Sequence, residues 1–236
     1  MVSSPVFMGL RDLRDPVNAA PEDLACWMSE PESARLVSLH NALRHDQFIQ
    51  GRWLGRQILA AAFGGDAACD WRLSAGIDGP PQVLGEVAPS GIHISVSHSA
   101  HHVCCAVSRV AIGVDIEQTS RLRNWLAIAE LVFTAEERRQ LEALGNDQRA
   151  DYFYAVWTLK EAWVKSFSGS MSPDVLAQLQ TQRQENSGGV PSANARLWHG
   201  ADFAMALVAP SSSEIAWVGQ TPTDALQSNF WRVGPR

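Results

Sequence analysis

Over residues 92–97 and again over 110–117 the chain alternates in side-chain character from one position to the next. Ile92, Ile94 and Val96 alternate with His93, Ser95 and Ser97, and Val110, Ile112, Val114 and Ile116 alternate with Ala111, Gly113, Asp115 and Glu117. A period of two belongs to strands and cannot be met by a helix. The turn Ser99-Ala100-His101-His102 and the apolar stretch 103–107 lie between the runs, so the segment reads as successive strands of one sheet. The period then switches. Residues of about 124–144 and about 148–167 carry helical spacing, the first stretch with a break expected near Thr134.

The rest of the chain follows the same order. Ser29-Glu30-Pro31-Glu32 has the spacing of a capping box, with proline in the first turn. Phe48, Ile49, Trp53, Ile58, Leu59 and Ala62 mark a helix over about 46–63 that Gly64-Gly65 ends. Gly76-Ile77-Asp78-Gly79-Pro80-Pro81 and the polar region 178–195 read as loops. Leu197-Trp198 and 203–208 form a hairpin around His199-Gly200-Ala201-Asp202, and 215–218 adds a strand. Helices followed by antiparallel strands in both halves indicate an α+β fold, with an N-terminal lobe 1–110 and a C-terminal lobe 111–236. No internal repeat is visible by eye.

Composition narrows the function. A net charge of −6 argues against a general nucleic-acid binder, which neutralises phosphates with a basic surface. No apolar run approaches the ~20 residues of a membrane span, and Met1-Val2-Ser3-Ser4-Pro5 lacks a signal-peptide start. Cys26, Cys69, Cys104 and Cys105 have no regular spacing, so a disulfide framework is not expected. The expectation is a soluble, cytoplasmic protein with neither nucleic-acid nor membrane partners. Of 19 basic residues only Lys160 and Lys165 are lysines, and they flank Glu161.

Asp115 and Glu117 share one strand face with Cα atoms about 6–7 Å apart. For an isolated D-x-E, a solvated edge or a surface ion pair with Arg121 or Arg123 is the default. Trp157, Glu161 and Lys165 are spaced i, i+4, i+8 along one side of a helix. That spacing also suits an ordinary surface pair, worth about 0.3–0.5 kcal/mol. The tryptophans and the run 152–156 make the helix largely buried, where an acid and a lysine need a reason. If Glu161 meets Asp115 and Glu117, the result is an oxygen-only site suited to Mg²⁺, with Lys165 placed for a phosphate oxygen. A zinc site from His98, His101, His102, Cys104 and Cys105 fails because adjacent cysteines on a strand point to opposite faces. His101 and His102 read as solvated turn residues.

Read together, five segments resemble the long, single-chain 4′-phosphopantetheinyl transferases of the type that activates surfactin-like peptide synthetases. They are Phe48-Ile49-Gln50-Gly51-Arg52-Trp53-Leu54-Gly55-Arg56, Ile94-Ser95-Val96-Ser97-His98-Ser99, Ile112-Gly113-Val114-Asp115-Ile116-Glu117, Phe133-Thr134-Ala135-Glu136-Glu137, and the W-x-x-K-E-A-x-x-K pattern ending at Lys165. The resemblance implies a pseudo-dimer of two similar α+β lobes with antiparallel sheets and coenzyme A in the inter-lobe cleft. It implies transfer of phosphopantetheine from coenzyme A to a serine of an acyl or peptidyl carrier protein, with release of 3′,5′-ADP. Asp115, Glu117 and Glu161 would hold Mg²⁺ (or Mn²⁺), Glu161 would serve as base, and Lys165 would stabilise the diphosphate. Arg44, Arg52, Arg56, Ser97, His98, Lys160 and Lys165 would contact coenzyme A.

The resemblance also implies a carrier-docking surface over residues 120–129, with Leu122 and Trp125, and a duplicated fold for which a monomer suffices. Two segments depart from the family pattern. Gly79-Pro80-Pro81 lacks a lysine between glycine and proline, and Ser168-Gly169-Ser170-Met171 replaces G-x-G-L. A Mg²⁺-dependent phosphodiesterase or nuclease, and a non-catalytic carrier-binding module, are the competing readings of the same residues.

Overall fold

The computed structural model describes the chain except residues 1–3, 18, 77–78, 86–89, 121–122, 168, 170–171, 185–192, 220–227 and 236. The elements run β1 (Val6–Asp12), α1 (Glu30–Val37), α2 (Ala42–Phe63), β2 (Arg72–Leu73), β3 (Val83–Leu84), β4 (His93–Ser99), β5 (His102–Ser108) and β6 (Gly113–Gln118). They continue with α3 (Trp125–Val132), α4 (Ala135–Ala143), α5 (Asn146–Ser166), α6 (Pro173–Gln178), β7 (Leu179–Gln184), β8 (Ala195–His199), β9 (Phe203–Val208), β10 (Ile215–Trp217) and β11 (Ser228–Pro235). Two compact units result, residues 1–112 with 213–222 and residues 113–212 with 223–236. Residues 213–222 thus return to the first unit, which a single cut after residue 110 does not anticipate.

In the first unit the sheet order is β10-β1-β5-β4, antiparallel except for the parallel β1–β10 pair. Helix α2 covers it, burying Leu54, Ile58 and Leu59 against Ile94, Val103, Cys105 and Val107. The Asn41 side chain caps the helix at its start by accepting from the Arg44 N–H, and Gly64 ends it at φ 83°. The capping box expected at Ser29 is present, with Glu32 as its fully buried carboxylate.

In the second unit the order is β6-β9-β8-β11-β7, antiparallel throughout. Helix α5 lies across it, with Ala155, Leu159 and Ala162 packed on Leu197, Ala206, Val208, Trp231 and Val233. The break near Thr134 is a new helix start: Thr134 caps α4 in a second capping box, with Glu137. Both units share one order of elements. A strand (β1 or β6) is followed by a capped short helix (α1 or α4) and then by a long helix (α2 or α5). A hairpin (β4–β5 or β8–β9) comes later, its second strand pairs with the first, and one further strand (β10 or β11) follows.

Among the described residues β1, β2, β3, β7 and β11 lie outside the expected strands. β1 has no clean period, and β7, Leu-Gln-Thr-Gln-Arg-Gln, is an edge strand within a region expected to be loop. β11 lies between β8 and β7. The remainder of the expected loop, residues 185–192, lies outside the described residues. His102 is buried in β5, not solvated, whereas His101 is exposed. Among the described residues no helix is long and apolar enough to cross a membrane.

Candidate functional site

Asp115 and Glu117 leave the same face of β6, and Gly113 belongs to that face. Helix α5 crosses there. A Cβ at Gly113 would lie 2.0 Å from the Ala162 carbonyl oxygen and 2.5 Å from the Ser166 nitrogen. Only the missing side chain lets the helix backbone rest on the strand. Along α5, Trp157, Glu161 and Lys165 succeed one another every four residues, about 6 Å of rise, close to the spacing of alternate strand residues. The helix runs opposite to the strand, and its two outer side chains reach inward to successive acids of β6. Lys165 Nζ donates to Asp115 Oδ1 at 2.6 Å, and Trp157 Nε1 donates to Glu117 Oε1 at 3.0 Å. Between those contacts Glu161 joins the two acids, and ligand oxygens of all three lie within 4.8 Å of one another.

Asp115 and Glu117 are buried, and Glu161 is half-buried. Arg123 Nη2 donates to both Glu117 oxygens, at 3.2 and 3.0 Å, so the surface pair expected for D-x-E exists inside the cluster. Arg121, its alternative partner, lies outside the described residues. Lys165 and Arg123 bring two positive charges to three carboxylates. Burial, followed by the charge of Asp115, pushes the Glu161 carboxyl up to about 9, against the opposing pull of Lys165. An oxygen-only donor set fits a hard divalent cation, Mg²⁺ or Mn²⁺, better than zinc or copper, and such an ion would take the place of the Glu161 proton. No other group of three metal-ligating side chains converges among the described residues.

The remaining expected residues divide into two groups. Arg44 is exposed, and its Nη1 lies 3.4 Å from both ring nitrogens of His98 at the end of β4. Ser97 is buried beside His98. Arg56 has no exposed surface and clamps Glu32 with two donors, at 3.0 and 2.6 Å. Arg52 lies 3.5 Å from the same carboxylate and donates to the Ala75 carbonyl. Both arginines are therefore committed to the core of the first unit, a correction to their expected contact with coenzyme A. Lys160 needs the same correction. Its buried amine donates to the Val132 and Leu176 carbonyls at 2.7 and 3.0 Å and pairs with Glu137 at 2.7 Å.

Two participants go beyond the expected site residues, Gly113 and Trp157. Gly113 is a glycine inside a strand, the sign of a close backbone approach. Trp157 stands four residues before Glu161, so its indole N–H had to share the acid's face. Of the two departing segments, Ser168, Ser170 and Met171 lie outside the described residues.

Residues 111–208 match the family model described as the 4′-phosphopantetheinyl transferase superfamily. A 4′-phosphopantetheinyl transferase of Bacillus subtilis is 32% identical over 161 residues, covering 66% of this chain and 68% of that protein. The 4′-phosphopantetheinyl transferase HetI of Nostoc sp. is 30% identical over 149 residues, 61% of each chain. A crystal structure of a holo-(acyl-carrier-protein) synthase from Bacillus anthracis, in complex with CoA, aligns at 23% identity over 42% of this chain and 93% of that one. Its TM-score of 0.36 is too low to bear on the fold.

Proposed function

The chain belongs to the 4′-phosphopantetheinyl transferase superfamily, and from that premise we propose that it moves the 4′-phosphopantetheine group of coenzyme A onto a carrier-protein serine. The serine oxygen would form the new bond to phosphorus, the bond to the departing 3′,5′-ADP would break, and the serine proton would pass to a carboxylate. The observation that carries this reading is the convergence of Asp115, Glu117 and Glu161 with Lys165 beside them.

Those three carboxylates are the residues that would hold Mg²⁺ or Mn²⁺, and the ion when bound would offset the charge of the diphosphate. Glu161 is the proposed base, directly or through water. Held against Asp115, Lys165 is poised to steady charge on the leaving oxygen. Trp157 and Arg123 orient Glu117. Arg44 and His98, with Ser97 beside them, remain the proposed phosphate contacts in the first unit.

The acyl or peptidyl carrier would dock on the surface that includes α3, where Leu126 and Leu131 are exposed and Trp125 packs on the core. Leu122 lies outside the described residues. The shared order of elements supports a pseudo-dimer of two lobes, the first extended by residues 213–222, and with it a monomer. A cytoplasmic location belongs to the same reading.

The test is the intact mass of an apo carrier protein after incubation with this chain, coenzyme A and Mg²⁺. A gain equal to the phosphopantetheine group, abolished by EDTA, is the expected result. No gain across acyl and peptidyl carriers would overturn the proposal.

A further inference from the structure

Beyond the order of elements, β1 and α2 can be laid on β6 and α5 with a single offset. An offset of 104 positions (9 to 113) carries Gly9 onto Gly113, Arg11 onto Asp115, Trp53 onto Trp157, Arg56 onto Lys160 and Gln57 onto Glu161. Most matched residues have matched surroundings. Each glycine faces the long helix of its unit, though Gly9 meets side chains of α2 (Leu54 Cδ1 2.9 Å from an added Cβ) where Gly113 meets the backbone of α5. Arg56 and Lys160 are both buried, and each pairs with the capping-box glutamate of its own unit, Glu32 at 2.6 Å and Glu137 at 2.7 Å.

The match fails in charge at one place. Where the second unit has Asp115 and Glu161, the first has Arg11 and Gln57, and Leu13 takes the place of Glu117. Arg11 Nη2 donates to Gln57 Oε1 at 2.7 Å, and its Nη1 donates to Gln50 Oε1 at 2.8 Å. The guanidinium is buried, and burial lowers it only to about 10, so it stays charged at neutral pH.

We infer that the first unit holds a closed counterpart of the carboxylate site, in which the Arg11 guanidinium stands where the second unit would hold a divalent cation. The inference rests on the metal reading of Asp115, Glu117 and Glu161. Its physics is charge balance. Three converging carboxylates can all ionise only when a further cation joins Lys165 and Arg123, whereas amide oxygens facing a tethered guanidinium need none. Such a cation cannot be exchanged or chelated. Among the described residues there is therefore one exchangeable metal centre despite two copies of the strand–helix frame. Arg11 acts as a structural cross-link between β1 and α2. A cavity of about 70 Å³ lined by Arg11, Asp12, Asp15 and Gln57, among others, adjoins the guanidinium, so shortening residue 11 leaves room for an ion.

The test is Mn²⁺ stoichiometry, by titration calorimetry and by loss of the free-ion electron paramagnetic resonance signal. Wild type should bind one Mn²⁺ per chain, and so should Gln57→Glu, because Arg11 then pairs with the new carboxylate. Arg11→Asp combined with Gln57→Glu should bind two, with a rise in melting temperature on adding Mn²⁺ larger than that of wild type. Adding Glu161→Gln to that double variant should bring the count back to one. The inference is overturned if the folded double variant binds one ion, if Gln57→Glu alone binds two, or if the double variant fails to fold even with millimolar Mn²⁺. Wild type that binds no Mn²⁺ would be a distinct result, since it removes the metal reading itself.

Discussion

Lys160 and Lys165 stand five residues apart on one helix, and their amines meet different fates. Lys160 is sealed between Glu137 and two carbonyls, while Lys165 keeps about a quarter of its side chain exposed against Asp115. Removing one partner of a buried ion pair leaves the other charge uncompensated, at a cost of about 3–5 kcal/mol. Lys160→Ala should therefore show that loss in urea unfolding, with an unchanged KM for coenzyme A in the protein that remains folded. Lys165→Ala should fold normally and lower kcat about 10²-fold, as loss of a group that stabilises developing charge does.

Glu161 adds a pH dependence. Its folded value near 9 exceeds the ordinary 4.5, so its contribution to stability is complete below 4.5 and is lost as pH rises through 9. Metal-free protein should lose melting temperature across that window. Mn²⁺ should reverse the loss while displacing a proton, so that its apparent affinity rises with pH. A metal affinity flat between pH 6 and 8.5 would contradict a raised Glu161.

At the scale of elements, the site depends on how closely α5 can lie on β6. Gly113 sets that distance, because its missing Cβ makes room for the Ala162 carbonyl. Gly113→Ala would force the helix away from the strand, an overpacking that costs about 1–3 kcal/mol or more. The consequence extends beyond stability. Lifting α5 separates Glu161 from Asp115 and Glu117, so Mn²⁺ affinity should fall at least tenfold in the fraction that folds. Gly79→Ala, where a Cβ meets nothing within 4 Å, is the matched control and should leave both quantities unchanged.

At the scale of the whole molecule, the last segment of chain completes both sheets. β10 lies parallel to β1 at the edge of the first sheet, and β11 lies inside the second, between β8 and β7. Trp231 and Val233 on β11 also close the core under α5. A chain ending at residue 212 would retain every candidate catalytic residue and the whole span matched by the family model. It should nonetheless fail to fold cooperatively. The expected signs are a lost sigmoidal thermal transition by circular dichroism and rapid cleavage of the second unit in limited proteolysis. A truncated chain with the wild-type transition would show that β11 is dispensable.

Much of this molecule is legible from local pattern. Alternation over 92–97 and 110–117 placed β4 and β6, the apolar stretch 103–107 placed β5, helical spacing placed α2 and α5, and the period of two put Asp115 and Glu117 on one face. All of these depend on residues within a few positions of one another, and side-chain period reports local burial directly. Partner choice is different. Arg52, Arg56 and Lys160 look like ligand contacts in sequence because nothing local shows Glu32 or Glu137, each more than 15 residues away, waiting in the core. Likewise β1, β7 and β11 become strands because neighbouring strands satisfy their backbone groups. Sequence by itself determined the α+β class, the family and the three carboxylates. Tertiary packing alone decided which basic groups face those carboxylates and which are buried as counterions, because the low-dielectric core assigns each charge by the partner it finds there.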